Sequence, residues 1–258
     1  MDSLDKKSLK TLELDAVLEI LAEHAVSEGA KTLARSLSPS CDIGEVRTSI
    51  EKTGAARKLI GYKGTPSFSG VRDVSVALRR AAIGGNLNPT ELLHIADVLR
   101  TARSAQSYLE DDRKSEKTAL DGLFAMLYID KAFEDKIRNA IISPEEIADG
   151  ASGELLAIRR KMRRSGEKIR EVLAHIISSP SHSKHLQEAI ITQRSGRYVV
   201  PVKSEYKGEI KGLVHDISST GAIVFVEPLQ VVELNNLMRE LEAEEKKEIE
   251  RILAELSA

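Results

Sequence analysis

The sequence predicts a mainly α protein: a helical core, then two long antiparallel helices that carry a small antiparallel β insert. Charge is the first observation behind this. Residues 154–185 hold eight Lys/Arg against three Asp/Glu, and residues 229–258 hold four against eight. Periodicity is the second, since residues 186–228 between them are balanced at five against five and change from helical to alternating spacing. Composition is the third. Aromatics are only 3% and charged residues 30% of 258, with a net charge of −2, which suits long solvated helices with a core of Leu, Ile, Val and Ala.

Residues 11–25 gather Leu12, Leu14, Val17, Leu18 and Leu21 into one apolar stripe and read as an amphipathic helix. Further helices follow at 28–37, closed by Ser38-Pro39, and at 43–60, closed by the glycine-containing stretch 61–64. A loop over 65–70 leads to a helix at 71–83 that Gly84-Gly85 ends. Asn88-Pro89-Thr90-Glu91 is a helix start: Asn caps free amides, Pro suits the first turn, and Glu91 can reach back. Its helix runs over 90–109, and a charged break at 110–117 reads as an exposed loop. Ser143-Pro144-Glu145-Glu146 repeats the same grammar and predicts another helix start.

The outgoing arm spaces Leu155, Ile158, Met162, Ile169, Val172 and Ile176 at heptad-like intervals, with Ser165 at one seam position. The return arm does so with Leu234, Met238, Leu241, Ile249, Ile252 and Leu256, and has Glu245 at its seam. Ser165 and Glu245 lie at similar depth from the insert, so the seams could share a polar mid-section. Within the insert, runs at 189–194 and 197–203 flank the two-residue turn Ser195-Gly196. A second pair, 213–217 and 222–226, surrounds Ser218-Ser219-Thr220-Gly221. Pro201 inside a strand run argues for an edge strand.

Chemistry is hard to find. Neither Gly-containing stretch is followed by Gly-Lys-Ser/Thr, so the chain offers no phosphate loop. His182 and His185 have no cysteine or carboxylate cluster beside them and read as a solvated turn. His215 and Asp216 are adjacent in a strand and face opposite sides of it, which disfavours a shared catalytic role. No catalytic residues and no metal ligands emerge. Cys41 is alone, which fits a reducing cytoplasm, and no run approaches the roughly 20 apolar residues that cross a bilayer.

Cations carry what signal there is. The run Arg159-Arg160-Lys161-Met162-Arg163-Arg164 has two readings: phosphate binding, or pairing with the return helix through Glu240, Glu242, Glu244, Glu245, Glu248 and Glu250. In the insert, Arg194, Arg197, Lys203, Lys207 and Lys211 cluster around turns and are the candidate nucleic-acid-binding residues, with plain solvation as the other reading.

Three long stretches resemble a known family: TLELDAVLEILAEHAVSEGAKTLARSL, SGVRDVSVALRRAAIGGNLNPTELLHIADVLR, and EAIITQRSGRYVVPVKSEYKGEIKGLVHDISSTGAIVFVEPLQVVELNN. They are similar to the second bacterial MutS family, whose members usually carry a C-terminal small MutS-related (Smr) domain. RSGRYVVPVK and VHDISSTGAIVFVEP are the most specific motifs. The resemblance implies a core and lever base at 1–150, an outgoing lever helix at 151–185, a β clamp at 186–228 and a returning helix at 229–258. It also implies an N-terminal fragment of a longer cytoplasmic homodimer, whose ATPase domain would use ATP and Mg and whose Smr domain would be an endonuclease. Without the mismatch-reading domain of mismatch-repair relatives, the expected role is non-catalytic gripping of branched DNA to suppress recombination. The alternatives are an rRNA-binding arm that acts on stalled, collided ribosomes and a purely structural module.

Overall fold

The computed structural model describes residues 6–110 and 118–258; the charged break expected at 110–117 lies outside them except for Glu110, which closes a helix. Among the described residues the regular structure is helical apart from a two-stranded and a four-stranded antiparallel sheet. The mainly α class with a small β insert therefore holds. Two compact units divide the chain: one reaches to Ala148 and also takes Leu253–Ala258, and the other is Asp149–Ile252.

The first unit opens with α1 (Lys6–Thr11) and α2 (Leu14–Glu23). The helix expected at 11–25 is cut at its start: Thr11 ends α1 and the rest begins only at Leu14. Glu13, with φ 52°, separates the two helices, because a left-handed residue cannot continue a right-handed helix. α3 (Glu28–Arg35) is capped by Ser27 and tied to α2 by Arg35, which grips Glu19 at 2.9 and 2.7 Å. α4 (Ile43–Lys63) is capped by Asp42 and continues through Gly61 to Gly64, whose φ of 79° ends it. α5 (Ser75–Ala82) starts four residues later than expected. The Asp73 carboxylate takes the Ser75 N–H at 2.9 Å and sets the start there. Much of the apolar stripe on α2 and α3 stays exposed, including Val17, Ile20 and Leu33.

α6 (Pro89–Glu110) begins with the reciprocal cap that the sequence predicts: Glu91 N–H donates to Asn88 Oδ1 at 2.9 Å, and Asn88 N–H donates to Glu91 Oε2 at 3.0 Å. After α7 (Asp121–Ala125), α8 (Lys131–Ala140) packs on α6; Ile137 of α8 and Leu92, Ala96 and Leu99 of α6 are all buried. The other expected helix start at Ser143 is instead the turn between β1 (Ile141–Ser143) and β2 (Glu146–Ile147). There the Ser143 hydroxyl accepts from Glu145 N–H, two residues on, at 3.3 Å. That short bond closes a turn rather than capping a helix.

The second unit holds α9 (Gly153–Ser178), a short α10 (Pro180–Ser183), four strands and most of α11 (Val232–Ser257). Ser152 caps α9 at Leu155 N–H (2.9 Å) and donates to Glu248 on α11 (2.6 Å). Arg159 meets Glu245, and a Cβ on Gly166 would stand 3.5 Å from Met238. Those three contacts make the helices antiparallel and fix their register. They also correct the shared polar mid-section: buried Ser165 lies near Met238, whereas Glu245 lies almost two turns away beside Arg159.

β3 (Thr192–Arg194), β4 (Arg197–Lys203), β5 (Gly212–Ile217) and β6 (Ile223–Pro228) stand in the order β3-β4-β6-β5. Ser195 and Gly196, with φ of 51° and 72°, form the tight turn that joins β3 to β4. The edge assignment drawn from Pro201 needs correction, because β4 lies between β3 and β6. Pairing to β3 ends at Val199, however, so no β3 carbonyl faces the missing Pro201 donor. Only a single bridge, Leu186 to Val202, continues that side. On the inner sheet face Val200, Val202, Val224 and Val226 pack with Ile169, Leu173 and Ile176 of α9 and Met238 of α11. Each such side chain contributes about 1.5–3 kcal/mol of burial.

Candidate nucleic-acid interface

On the opposite sheet face sits a carboxylate that no part of the sequence reading anticipated. Glu227 is fully buried at 0% exposure. A buried charge is tolerable only with partners, and three converge on it. Arg197 Nη1 reaches Oε1 at 2.8 Å, Asn235 Nδ2 reaches Oε1 at 2.7 Å, and His215 Nε2 contacts Oε2. Arg197 spends its second arm on Asn236 Oδ1 at 2.6 Å. Asn235 also brackets the Tyr198 backbone, accepting its N–H and donating to its carbonyl, both at 3.1 Å. The start of α11 is thereby locked to β4 and β6.

The five candidate cations divide by environment. Arg197 is committed to the Glu227 cluster, with its side chain only 21% exposed. Arg194 is half committed: its guanidinium lies 4.1 Å from the Phe225 ring and 3.4 Å from Asp216, yet the side chain is 42% exposed. Lys203 leans on the Lys184 carbonyl at 3.3 Å. Lys207 and Lys211 are exposed on the β4–β5 connection, and neither is ion-paired among the described residues. Ile210, buried between them, anchors that connection in the core.

The β3–β4 turn is less open than a flexible tip would be. Arg239 of α11 donates to the Ser195 carbonyl, and a Cβ on Gly196 would stand 2.9 Å from the Arg239 guanidinium carbon. Glycine is required there for its backbone and for the arginine packed on it. Two sequence signals could have exposed these partners. Glu227 is a lone carboxylate in the apolar run IVFVEP, and Arg239 is the one cation between Leu229 and Glu245.

The run 159–164 also divides. Arg159 binds Glu245 at 2.6 Å and Asp149 at 2.7 Å, and Arg163 binds Asp149 at 3.0 Å. Burial disfavours the Arg159 charge, but its hydrogen bonds to Glu245 and Asp149 outweigh that and leave its pKa raised. Bonds from Arg159 and then Arg163 hold the Asp149 carboxyl below its ordinary range. Pairing with the return helix is therefore real for Arg159. Arg160, Lys161 and Arg164 are exposed and unpaired among the described residues.

His182 and His185 do not form the solvated turn that was expected. His185 is buried and stacks on Tyr206 at 4.8 Å, and the Nδ1 atoms of both histidines are buried without a partner. Hydrophobic Leu186 and Ile210 nearby in the core draw the segment inward. His215 and Asp216 serve different partners, Glu227 and Arg194, but the expected opposite-side placement needs correction: a bulge between Val214 and Asp216 breaks the alternation and brings both to the Phe225–Glu227 face. Among the described residues no group of three or more His, Cys, Asp or Glu is placed to hold a metal ion. No helix among them is long and apolar enough to cross a membrane.

No family model matches the chain. Curated relatives do. The chain is 43% identical over 98% of its length to a protein named Endonuclease MutS2 from Acetivibrio thermocellus. Identity is 42% over 99% to the protein of that name from Clostridioides difficile, and 43% over 99% to that from Pelotomaculum thermopropionicum. The chain belongs to the MutS2 family. It spans about a third (32%) of the length of these MutS2 relatives. The insert motifs that carried the resemblance fall on the residues just described: RSGRYVVPVK is the β3–β4 hairpin with Arg197, and VHDISSTGAIVFVEP contributes His215 and Glu227.

Proposed function

We propose that this chain is the non-catalytic lever–clamp region of a MutS2 protein. α9 and α11 form the lever, the four-stranded module forms the clamp, and the clamp contacts nucleic acid through Lys207 and Lys211, with Arg194 and Lys203 beside them. The observation that carries this reading is the division of labour among the clamp cations. Arg197 is consumed in holding the module to α11, while Lys207 and Lys211 stand exposed without a counter-ion among the described residues. Cations left free on a rigidly anchored module suit phosphate contacts, which position a protein without reading sequence.

In the longer protein, we take the partner to be branched DNA and the outcome to be suppression of recombination. Gripping would be completed by a second copy, with ATP and Mg acting in a separate ATPase domain and cleavage in a separate endonuclease domain. The deciding experiment compares binding to four-way-junction DNA, linear duplex and purified ribosomal subunits across a salt series. The DNA reading expects junction binding that weakens steeply with salt and flattens when Lys207 and Lys211 become Ala. Preference for ribosomal subunits, or an unchanged salt slope in that variant, overturns it.

A further inference from the structure

We propose that the outer face of α9 is a second binding surface, one that takes the phosphodiester backbone of a nucleic-acid duplex along Arg160, Arg164 and Lys168, with Lys161 beside them. It is a different surface from the clamp and does not depend on it. The basic run has two sides, and the structure uses them differently. Its inner side is neutralised, Arg159 by Glu245 and Asp149 and Arg163 by Asp149. Its outer side is exposed, with no ion pair among the described residues for Arg160, Lys161, Arg164 or Lys168.

Lack of acid does not explain this. α11 lies antiparallel to α9 in the same unit and carries Glu240, Glu242, Glu244 and Glu250, all exposed, yet none of them pairs with the row. If the run existed only to hold the helices together, one arginine does that work and the rest add repulsion. Like charges four residues apart on a helix destabilise it, and among the described residues no ion pair to the row offsets that. A partner outside the fold does.

The spacing fits a backbone. Residues 160, 164 and 168 share one face and climb about 6 Å per step, which is comparable to the separation of successive phosphates on a strand. Glu167, beside Lys168, and Glu171, one turn on, share the C-terminal part of this face, and the exposed carboxylates of α11 would repel phosphate, so a ligand lies along α9 alone and is held most strongly at Arg160, Lys161 and Arg164. α9 has no Phe, Tyr or Trp. Unpaired bases would find nothing to stack on, and a duplex held by its backbone is favoured over a single strand.

The test uses the 258-residue chain with a linear DNA duplex and an RNA duplex of the same sequence, each titrated across salt. One variant combines Arg160→Gln, Arg164→Gln and Lys168→Gln. A control removes three other exposed, unpaired cations, by Lys131→Gln, Lys246→Gln and Lys247→Gln. Circular-dichroism melting checks that both remain folded. The row variant is expected to lose about tenfold in affinity and to flatten the salt slope by about 2–3, while the control loses less than about threefold. Loss with both duplexes, or with one, supports the surface and identifies the source of the phosphate. Equal loss in the control, full affinity in the row variant, or no binding by the wild type at about 100 µM and low salt overturns it. A Lys207→Gln, Lys211→Gln pair run in parallel keeps the readings apart: loss there alone sinks the α9 surface, and loss in the row alone sinks the clamp contact.

Discussion

The Glu227 cluster and the outer face of α9 are both rich in charge, and they handle it in opposite ways. At the root of the β module every charge is answered. Glu227 has Arg197, His215 and Asn235, and Arg197 has Asn236 as well. On α9 the charges that point outward are left open, although eight glutamates stand on the return arm at 229–258. Desolvation explains the contrast. A carboxylate at 0% exposure must be matched, whereas an exposed guanidinium is matched by water and stays available. Between these two regions, the charge that holds the fold is buried and committed, and the charge open to a partner is exposed and unpaired among the described residues. Substitutions that cross that boundary test it.

The largest effect belongs to Arg197→Ala. It strips the strongest partner from a fully buried carboxylate, and removing one member of a buried pair costs about 3 kcal/mol or more. Denaturant melts of the chain measure it directly. Replacing Arg197 and Glu227 together by apolar residues should cost less than Arg197→Ala alone, because no orphaned charge remains. A double variant that is worse than the single would mean that the cluster stabilises by attraction rather than by satisfying a desolvated acid.

Ser152 and Glu248 come next. Ser152 caps α9 and donates to Glu248, so Ser152→Ala should cost about 1–2 kcal/mol. Hydrogen bonds from Arg251 and then Ser152 lower the Glu248 carboxyl from 4.5 to about 2. A depressed carboxylate contributes stability that is fully present above its unfolded pKa and is lost as pH falls through the folded value. The stability gap between wild type and Glu248→Gln should therefore persist at neutral pH and shrink between about pH 4.5 and 2. A gap that widens in acid would contradict this.

On α9 itself, neighbours should behave differently. Arg159→Ala loses partly buried bonds to Glu245 and Asp149 and should cost about 1 kcal/mol, while Arg160→Ala should stay within about 0.5 kcal/mol. Equal costs would erase the distinction between the inner and outer sides of the run.

Much of the fold was legible because it obeys local rules. The Asn88–Glu91 cap, the Ser195-Gly196 turn and the 3-and-4 spacing of the two arms each follow from backbone requirements that a short window contains. What the sequence concealed was long-range or competitive. Ser143 could cap a helix or close a turn, and only the Ile141–Ile147 pairing decides for the turn. Glu13 broke a stripe whose spacing was sound. Arg197 read as a free cation because Glu227 lies 30 residues away and Asn236 lies 39 away, beyond any local window. Lys207 and Lys211 needed no such partner, and exposure is what a polar linker predicts.

Arg194 lies on the boundary and gives the finest test. Its guanidinium stacks on Phe225 and approaches Asp216, yet nearly half of the side chain faces solvent. Stacking on an aromatic face uses the planar guanidinium, which lysine lacks, whereas attraction to phosphate needs only charge. Arg194→Lys should therefore lower stability by about 0.5 kcal/mol while leaving the salt slope for junction DNA unchanged. Arg194→Gln should lower stability by a similar amount and also reduce the slope by about one. If lysine restores stability but not binding, the stack is unimportant to the fold and the guanidinium itself meets the ligand. If glutamine leaves the slope at its wild-type value, Arg194 belongs with Arg197 among the committed charges, and the clamp contact contracts to Lys203, Lys207 and Lys211.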